Sequence, residues 1–329
     1  MVRGKEIPFS SHNGANAIPW GDVGAQVVIE ATGAFRSRAA AAGHPEAGAK
    51  RVIISAPSDD VDVTLVPGVN HQDYDPAHHR VVSLATCTTN CLAPVVKVLH
   101  EAFGVEYVVF TTIHAYTASQ SLVDKPARKR PRGRAAALSI VPTTTGAAQA
   151  AERVLPSLAG RISGIAIRVP VPVGSVTDLV VQLRQEATVQ VVNDAFRLAA
   201  TRPELKTVFG VSEDRLVSAD IIGDSRSAVV DVANTGVSPG RGVKVLAWYD
   251  NEWGYAARLI DFAHFMSGKE HNPGGSNRER SGGIHPRLLE DTNERDVRPE
   301  PTDACLVCSN SHSPRHKFQA VATEERCHV

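Results

Sequence analysis

The chain has 329 residues, enough for two domains that each bury a core. Lysine plus arginine equals aspartate plus glutamate at 35 each, so no global field draws it to nucleic acid or an acidic membrane surface, while a small anion held locally stays open. No apolar run approaches the roughly 18 residues of a membrane helix, and "VRGKEIPFSS" after Met1 lacks the apolar core of a secretory signal, so a cytoplasmic protein off the membrane is expected.

From Ala25 the chain reads "AQVVIEATGAF", a strand closed by Gly33, then an Ala-rich helical stretch to Ala49, then the strand "KRVIISAPS". Val/Ile runs without alternation suit strands covered on both faces, as in the parallel sheet of an α/β domain. "HRVVSLAT" supplies another strand, and the chain then turns into a helix at Thr88 to Asn90. Its apolar positions Leu92, Val95, Val96, Leu99 and Phe103 recur at three and four, with Pro94 placed in the first turn and Gly104 as the stop.

After the strand "VEYVVFTTIHAYT", the basic stretch Lys125 to Arg134 predicts a long exposed loop. "GIAIRVPVP", "SVTDLVVQLRQ", "SAVVDVAN" and "VKVLAWYD" predict a mainly antiparallel α+β sheet, with "VVNDAFRLAAT" as an intervening helix. "YAARLIDFAHFM" is a closing helix with Leu259, Phe262 and Phe265 on one side. From Ser267 onward, few large apolar residues remain to offset the entropy of ordering, so a mostly disordered tail is expected. Its "CLVC" at Cys305 to Cys308, with His312, His316, Cys327 and His328, leaves metal capture or an unstructured extension as alternatives.

The five cysteines are odd in number and widely spaced, which suits a reducing compartment rather than a disulfide framework. Cys87 and Cys91 share a helix face without a second ligand pair nearby, so no metal is expected there. Cys87 sits among Thr86, Thr88, Thr89 and Asn90 at a helix N-terminus, where unpaired N–H groups and the helix dipole favour a thiolate. His114 ends the next strand. If the two strands neighbour one another, both ends meet on one sheet edge, and the imidazole can take or share the thiol proton. "VPTTTGAAQ" sets three threonines and Gly146 at a helix start, an anion cradle or plain capping. Arg168, alone in an apolar strand, needs a structural carboxylate or a bound anion, whereas Arg132 and Arg134 read by themselves as solvated.

"ATCTTNCLAP", "TTIHAYTASQ", "RAAALSIVPTTTGAA", "IRVPVPVGSVTDL" and "WYDNEWGYAARLIDF", in that order, resemble phosphorylating glyceraldehyde-3-phosphate dehydrogenases over about Ile18 to Met266. The resemblance implies a partial Rossmann-like dinucleotide-binding domain over 1–86, a catalytic domain over 87–250, a C-terminal helix over 251–266 returning to the cofactor domain, and a tail over 267–329. It implies Cys87 as nucleophile and His114 as general base, with a hemithioacetal, hydride loss to a nicotinamide, and a thioester opened by inorganic phosphate. Thr117 and Arg168 would grip the substrate phosphate, and Thr86, Thr145, Gly146 and Arg132 the attacking one. Asn251 and Tyr255 would fix the nicotinamide, and Thr32, Gly33 and Ser55 would line the cofactor. NAD is implied, slightly favoured over NADP by Pro126, together with a small phosphorylated aldehyde and a homotetramer.

The family's opening strand and glycine turn, which seat the pyrophosphate, have no match here, so an N-terminally truncated chain is expected. Thr86 stands where the family usually has serine, and Leu84 where it often has asparagine. Two rival readings stay open: a dehydrogenase of a four-carbon aldehyde such as erythrose 4-phosphate, and a non-catalytic binding or assembly homologue without cofactor affinity.

Overall fold

The computed structural model describes residues 7–271, 304–309 and 319–321. The chain divides into two compact units. The first is built from the N-terminal segment to Thr64, Asp73–Leu84 and the chain from Leu259 onward, and the second from Leu65–Gln72 and Ala85–Arg258.

In the first unit, strands β1 (Phe9–Ser10), β2 (Ala25–Ala31), β3 (Arg51–Ile54), β4 (Val63–Thr64) and β5 (Val81–Ser83) alternate with short helices α1 (Arg38–Ala41) and α2 (Gly43–Glu46). Four of these strands lie in the order β2, β3, β5, β4, all parallel, with Glu30 opposite Ile54 and Ile53 opposite Val82. Val27, Val28 and Ile29 are all buried, so both faces of β2 are covered, as its unbroken apolar run predicts. The Ala-rich stretch is two short helices rather than one, because Pro45 has no N–H to donate to Ala41.

The tail departs from expectation at two short segments. Ala304–Ser309 pairs parallel with the free edge of β2, and Gln319–Val321 pairs antiparallel between that strand and β1. The run "ACLVCS" is rich enough in small and β-forming residues to pair with an open edge. Cys305 and Cys308 lie on this strand; His312, His316, Cys327, His328 and the remaining expected disorder lie outside the described residues.

The second unit opens with helix α3 (Cys87–Phe103) and contains β6 (Val105–Ala115), β7 (Val141–Thr143), α4 (Ala147–Val154), β8 (Ile162–Val169), β9 (Ser175–Leu183), α5 (Val189–Ala200), β10 (Phe209–Ser212), β11 (Ala228–Ser238) and β12 (Gly242–Tyr249). Its sheet runs β10, β11, β12, β9, β6, β8, β7, antiparallel except for β10 with β11 and β6 with β8. Along β6, Val108, Phe110, Thr112 and His114 point into the core while Tyr107 and Val109 face outward. Helix α3 is buried nearly all round and packs on this inner face. Pro94 lies well inside α3 rather than in its first turn, because the helix starts at Cys87. Lys125–Arg134 is an exposed stretch with one 3-10 turn at Arg130–Gly133, and helix α6 (Trp253–His271) outlasts its expected end at Met266.

Candidate active site

Between β5 and α3, Ala85 takes a left-handed backbone with φ 56°, a conformation that costs a non-glycine residue roughly 1–2 kcal/mol. Thr86 then caps α3: its Oγ1 accepts the Thr89 N–H at 2.9 Å and meets Thr89 Oγ1 at 2.8 Å. Such a cap stabilises a helix by about 1 kcal/mol. The cap leaves Cys87 as the first helical residue, partly exposed.

Cys87 Sγ lies 3.5 Å from His114 Nε2. The route to this contact differs from the sequence expectation. Strands β5 and β6 belong to different sheets, and the pair forms because α3 lies over the inner face on which β6 presents His114. Arg168, directly opposite His114 in the β6–β8 register, brings its Nη1 within 2.9 Å of both His114 Nδ1 and Ala115 O and 3.4 Å of Thr117 Oγ1. Given to Ala115 O and Thr117 Oγ1, the two Nη1 hydrogens leave Nδ1 to donate its own to Ala115 O, 2.7 Å away. Nε2 is then the acceptor that faces the sulfur.

Burial pushes the Cys87 thiol up, against the pull of Arg168 and of the Thr88 and Cys87 donors, so the expected lowering at the helix end does not hold for the sulfur alone. Burial, and then the Arg168 charge, push His114 down to about 3. Each direction describes one group ionising by itself. Proton transfer from Sγ to Nε2 makes both charges at once, and their attraction offsets both penalties.

The anion side continues from Arg168. Thr117 Oγ1 meets Ser119 Oγ at 2.9 Å, Arg132 Nη1 donates to Ser119 Oγ at 3.3 Å, and Arg132 Nε donates to Thr143 Oγ1 at 3.0 Å. Arg132, read from sequence as solvated by itself, is thus tied into a hydroxyl chain. Thr145 Oγ1 accepts the Ala147 N–H at 3.2 Å in the turn where Gly146 precedes α4, and neighbouring Thr144 takes the Lys129 ammonium at 2.9 Å. Among the described residues no carboxylate pairs with Arg168, and its Nε is buried without a hydrogen-bond partner. The structural alternative for Arg168 therefore has no partner here, and an anion fits.

The residues expected around a dinucleotide fall in both units. Thr32 and Gly33, with φ 69° at the glycine, end β2, and Ser55 follows β3, so all three stand at the carboxyl ends of adjacent parallel strands, where open α/β sheets bind ligands. In the second unit Asn251 Oδ1 accepts from Ser175 Oγ at 2.9 Å and Gly174 N at 3.2 Å, which turns its amide donors the other way. Tyr255 Oη donates to Ala85 O at 3.2 Å. Within the first unit, parallel strand ends with a glycine are a chemistry that suits a dinucleotide.

The family model for "Glyceraldehyde 3-phosphate dehydrogenase, C-terminal domain" matches residues 86–251. The chain is 52% identical over 265 residues to a glyceraldehyde-3-phosphate dehydrogenase of Streptomyces coelicolor, covering 80% of this chain and 79% of that protein. It belongs to the glyceraldehyde-3-phosphate dehydrogenase family. Relatives in Geobacillus stearothermophilus and Bacillus subtilis, 49% and 48% identical, each cover 82% of this chain and are themselves covered to 80%.

Within this family member, two contributors escaped the sequence reading. Ser119 links Arg132 through Thr117 to Arg168. Tyr249 lies fully buried with its ring edge-on to His114 at 6.0 Å, its hydroxyl shared between Thr112 Oγ1 at 2.7 Å and Thr88 Oγ1 at 3.0 Å. The signal for Tyr249 was its inward phase in β12 with Val245 and Ala247, since a buried phenol needs partners. Ser119 is an ordinary loop hydroxyl that carries no such signal, whereas Thr143 belongs to the threonine run already read as an anion cradle.

Proposed function

We propose that the chain oxidises glyceraldehyde 3-phosphate to 1,3-bisphosphoglycerate with NAD and inorganic phosphate, its first unit holding the dinucleotide and its second carrying the chemistry. His114 Nε2 takes the proton as Cys87 Sγ adds to the aldehyde carbonyl, giving a hemithioacetal, and the Cys87 N–H faces the developing oxyanion. Bound NAD supplies the hydride acceptor. Cys87 then holds the acyl group as a thioester until phosphate attacks it, releasing the acyl phosphate and restoring the sulfur. Thr117 and Arg168 grip the substrate phosphate, and Thr86, Arg132, Thr145 and Gly146 hold the attacking one. Asn251 donates to the carboxamide, Tyr255 flanks the ring, and Thr32, Gly33 and Ser55 line the dinucleotide.

The observation that carries this reading is the Cys87–His114 pair beside an arginine with which no carboxylate pairs among the described residues. It is tested by following NADH formation with glyceraldehyde 3-phosphate and with erythrose 4-phosphate, each with and without inorganic phosphate. Phosphate-dependent NADH from the three-carbon aldehyde at the higher kcat/KM is expected; preference for the four-carbon aldehyde would move the assignment to that substrate. Absence of turnover together with absence of NAD binding would leave the non-catalytic homologue. Among the described residues no helix is long and apolar enough to cross a membrane; the cytoplasmic location belongs to this proposal. Tyr107, Val109, Ile165 and Val180 lie about half exposed on the outer face of the second sheet, which suits cover by a second copy in a homotetramer.

A further inference from the structure

The first unit buries a polar network that the chemistry above does not use. His44 and Trp20 are fully buried and Glu30 is 2% exposed. Trp20 Nε1 donates to His44 Nδ1 at 3.0 Å, and His44 Nε2 lies 2.9 Å from Glu30 Oε2. The indole has only a donor to offer, so it occupies the Nδ1 lone pair, and the ring must carry its proton on Nε2 and give it to Glu30. The other carboxylate oxygen accepts both the N–H of Thr32, at 2.8 Å, and its hydroxyl, while Thr32 Oγ1 in turn accepts the Ala34 N–H at 3.1 Å. The main chain of Glu30 takes part too: its carbonyl accepts the Ser55 N–H at 3.0 Å. One buried residue thus fixes the turn after β2 through its side chain and the end of β3 through its backbone.

We propose that Glu30, oriented by His44 and Trp20, is a positioning residue for the dinucleotide, holding the Thr32–Gly33–Ala34 turn and Ser55 in their binding geometry. The proposal rests on the reading of Thr32, Gly33 and Ser55 as cofactor-lining. The hydroxyl of Thr32 is committed to Glu30 and Ala34, so this turn meets the ligand through its backbone, and its shape depends on an acceptor at Glu30. A glutamine there keeps one acceptor but points an amide donor at the His44 N–H. His44 cannot yield by moving its proton to Nδ1, because the indole N–H already occupies that side. Removing the indole donor frees it to do so.

The test is calorimetric titration of NAD into the full chain and its Glu30→Gln, Trp20→Phe and doubly substituted forms, with kcat measured at saturating NAD. Glu30→Gln is expected to raise the NAD Kd about tenfold, the scale of a lost hydrogen bond to a charged group, and to leave saturated kcat within about twofold. Trp20→Phe is expected to stay near wild type, and the double variant to recover most of the affinity that the glutamine loses. A simple packing role predicts losses that add, so a double variant weaker than Glu30→Gln overturns the proposal. Unchanged affinity in Glu30→Gln also overturns it, leaving the dinucleotide reading intact. Wild-type protein that takes up no NAD at millimolar concentration overturns both. If Glu30→Gln does not fold, Thr32→Val carries the test: it removes the hydroxyl that Glu30 holds and is expected to raise the NAD Kd, and wild-type affinity in it overturns the proposal.

Discussion

Replacing His114 by Asn tests the proton economy of the site. The substitution removes the acceptor facing Cys87 Sγ at 3.5 Å. Opposite charges at that separation attract by on the order of 5 kcal/mol at an effective dielectric of ~20, and the burial that drives His114 down to about 3 takes back much of this. What remains is the usual share of a general base, about 100-fold or more in the chemical step. Without the imidazole, the thiol loses its proton acceptor while the upward push of burial still outweighs the pull of Arg168 and of the Thr88 and Cys87 donors, so its reactivity shifts to higher pH. Single-turnover acylation should fall at least ~100-fold. Iodoacetamide modification of Cys87 at pH 7 should slow by ~10-fold or more, with its midpoint moved upward and never downward. A variant modified at the wild-type rate with an unmoved midpoint would refute the pairing of these two groups.

Cys91→Ala addresses alkaline stability. The Cys91 thiol is buried, donates to Ala247 O at 3.6 Å, and is pushed far above the ordinary thiol value by burial. Its folded value exceeds its unfolded one, so it contributes full stability below roughly pH 8.5 and loses it as pH rises, by at most ~1.4 kcal/mol per unit. Urea unfolding from pH 8 to 10.5 should show a shallower decline in the variant, and equal slopes would contradict this. In Gly164→Ala, the new Cβ would lie 2.5 Å from the Phe110 ring and 2.6 Å from its carbonyl, so thermal melting should register a loss of about 1–3 kcal/mol. Asn251→Asp keeps the acceptor for Ser175 and Gly174 but loses the amide donors; NAD affinity should drop about tenfold while iodoacetamide modification of Cys87 is unaltered, and unaltered NAD affinity would exclude the donor role.

The parallel strands of the first unit were legible because Val27 to Ile29 and Val52 to Ile54 read as unbroken apolar runs, which only two-sided cover allows. Cys87 and His114 were legible because a polar cluster follows one strand and a histidine ends another. Their meeting was expected too, but the route to it was not legible. Strand periodicity says which face a residue takes but not which sheet its strand joins, and here the pair forms by a helix crossing a different sheet. The same gap hid the Arg132 links to Ser119 and Thr143, which depend on how a loop folds back on a strand end. Pro94 was misplaced for a local reason: the threonine cap starts the helix at Cys87, so the proline falls deep within it.

The left-handed turn at Ala85 ties these observations together. Glycine would adopt φ 56° without strain, yet it would leave the approach to the nucleophile with more freedom to lose on ordering. Ala85 is fully buried, so its methyl group is enclosed, and the Tyr255 phenol, kept protonated by burial, donates to its carbonyl. With the Thr86 cap, worth about 1 kcal/mol, a hydrogen bond of similar net size is enough to offset the ~1–2 kcal/mol of left-handed strain. Tyr255 therefore reaches the nucleophile through the chain. Its hydroxyl holds the residue two before Cys87, and moving that turn would displace the sulfur from His114.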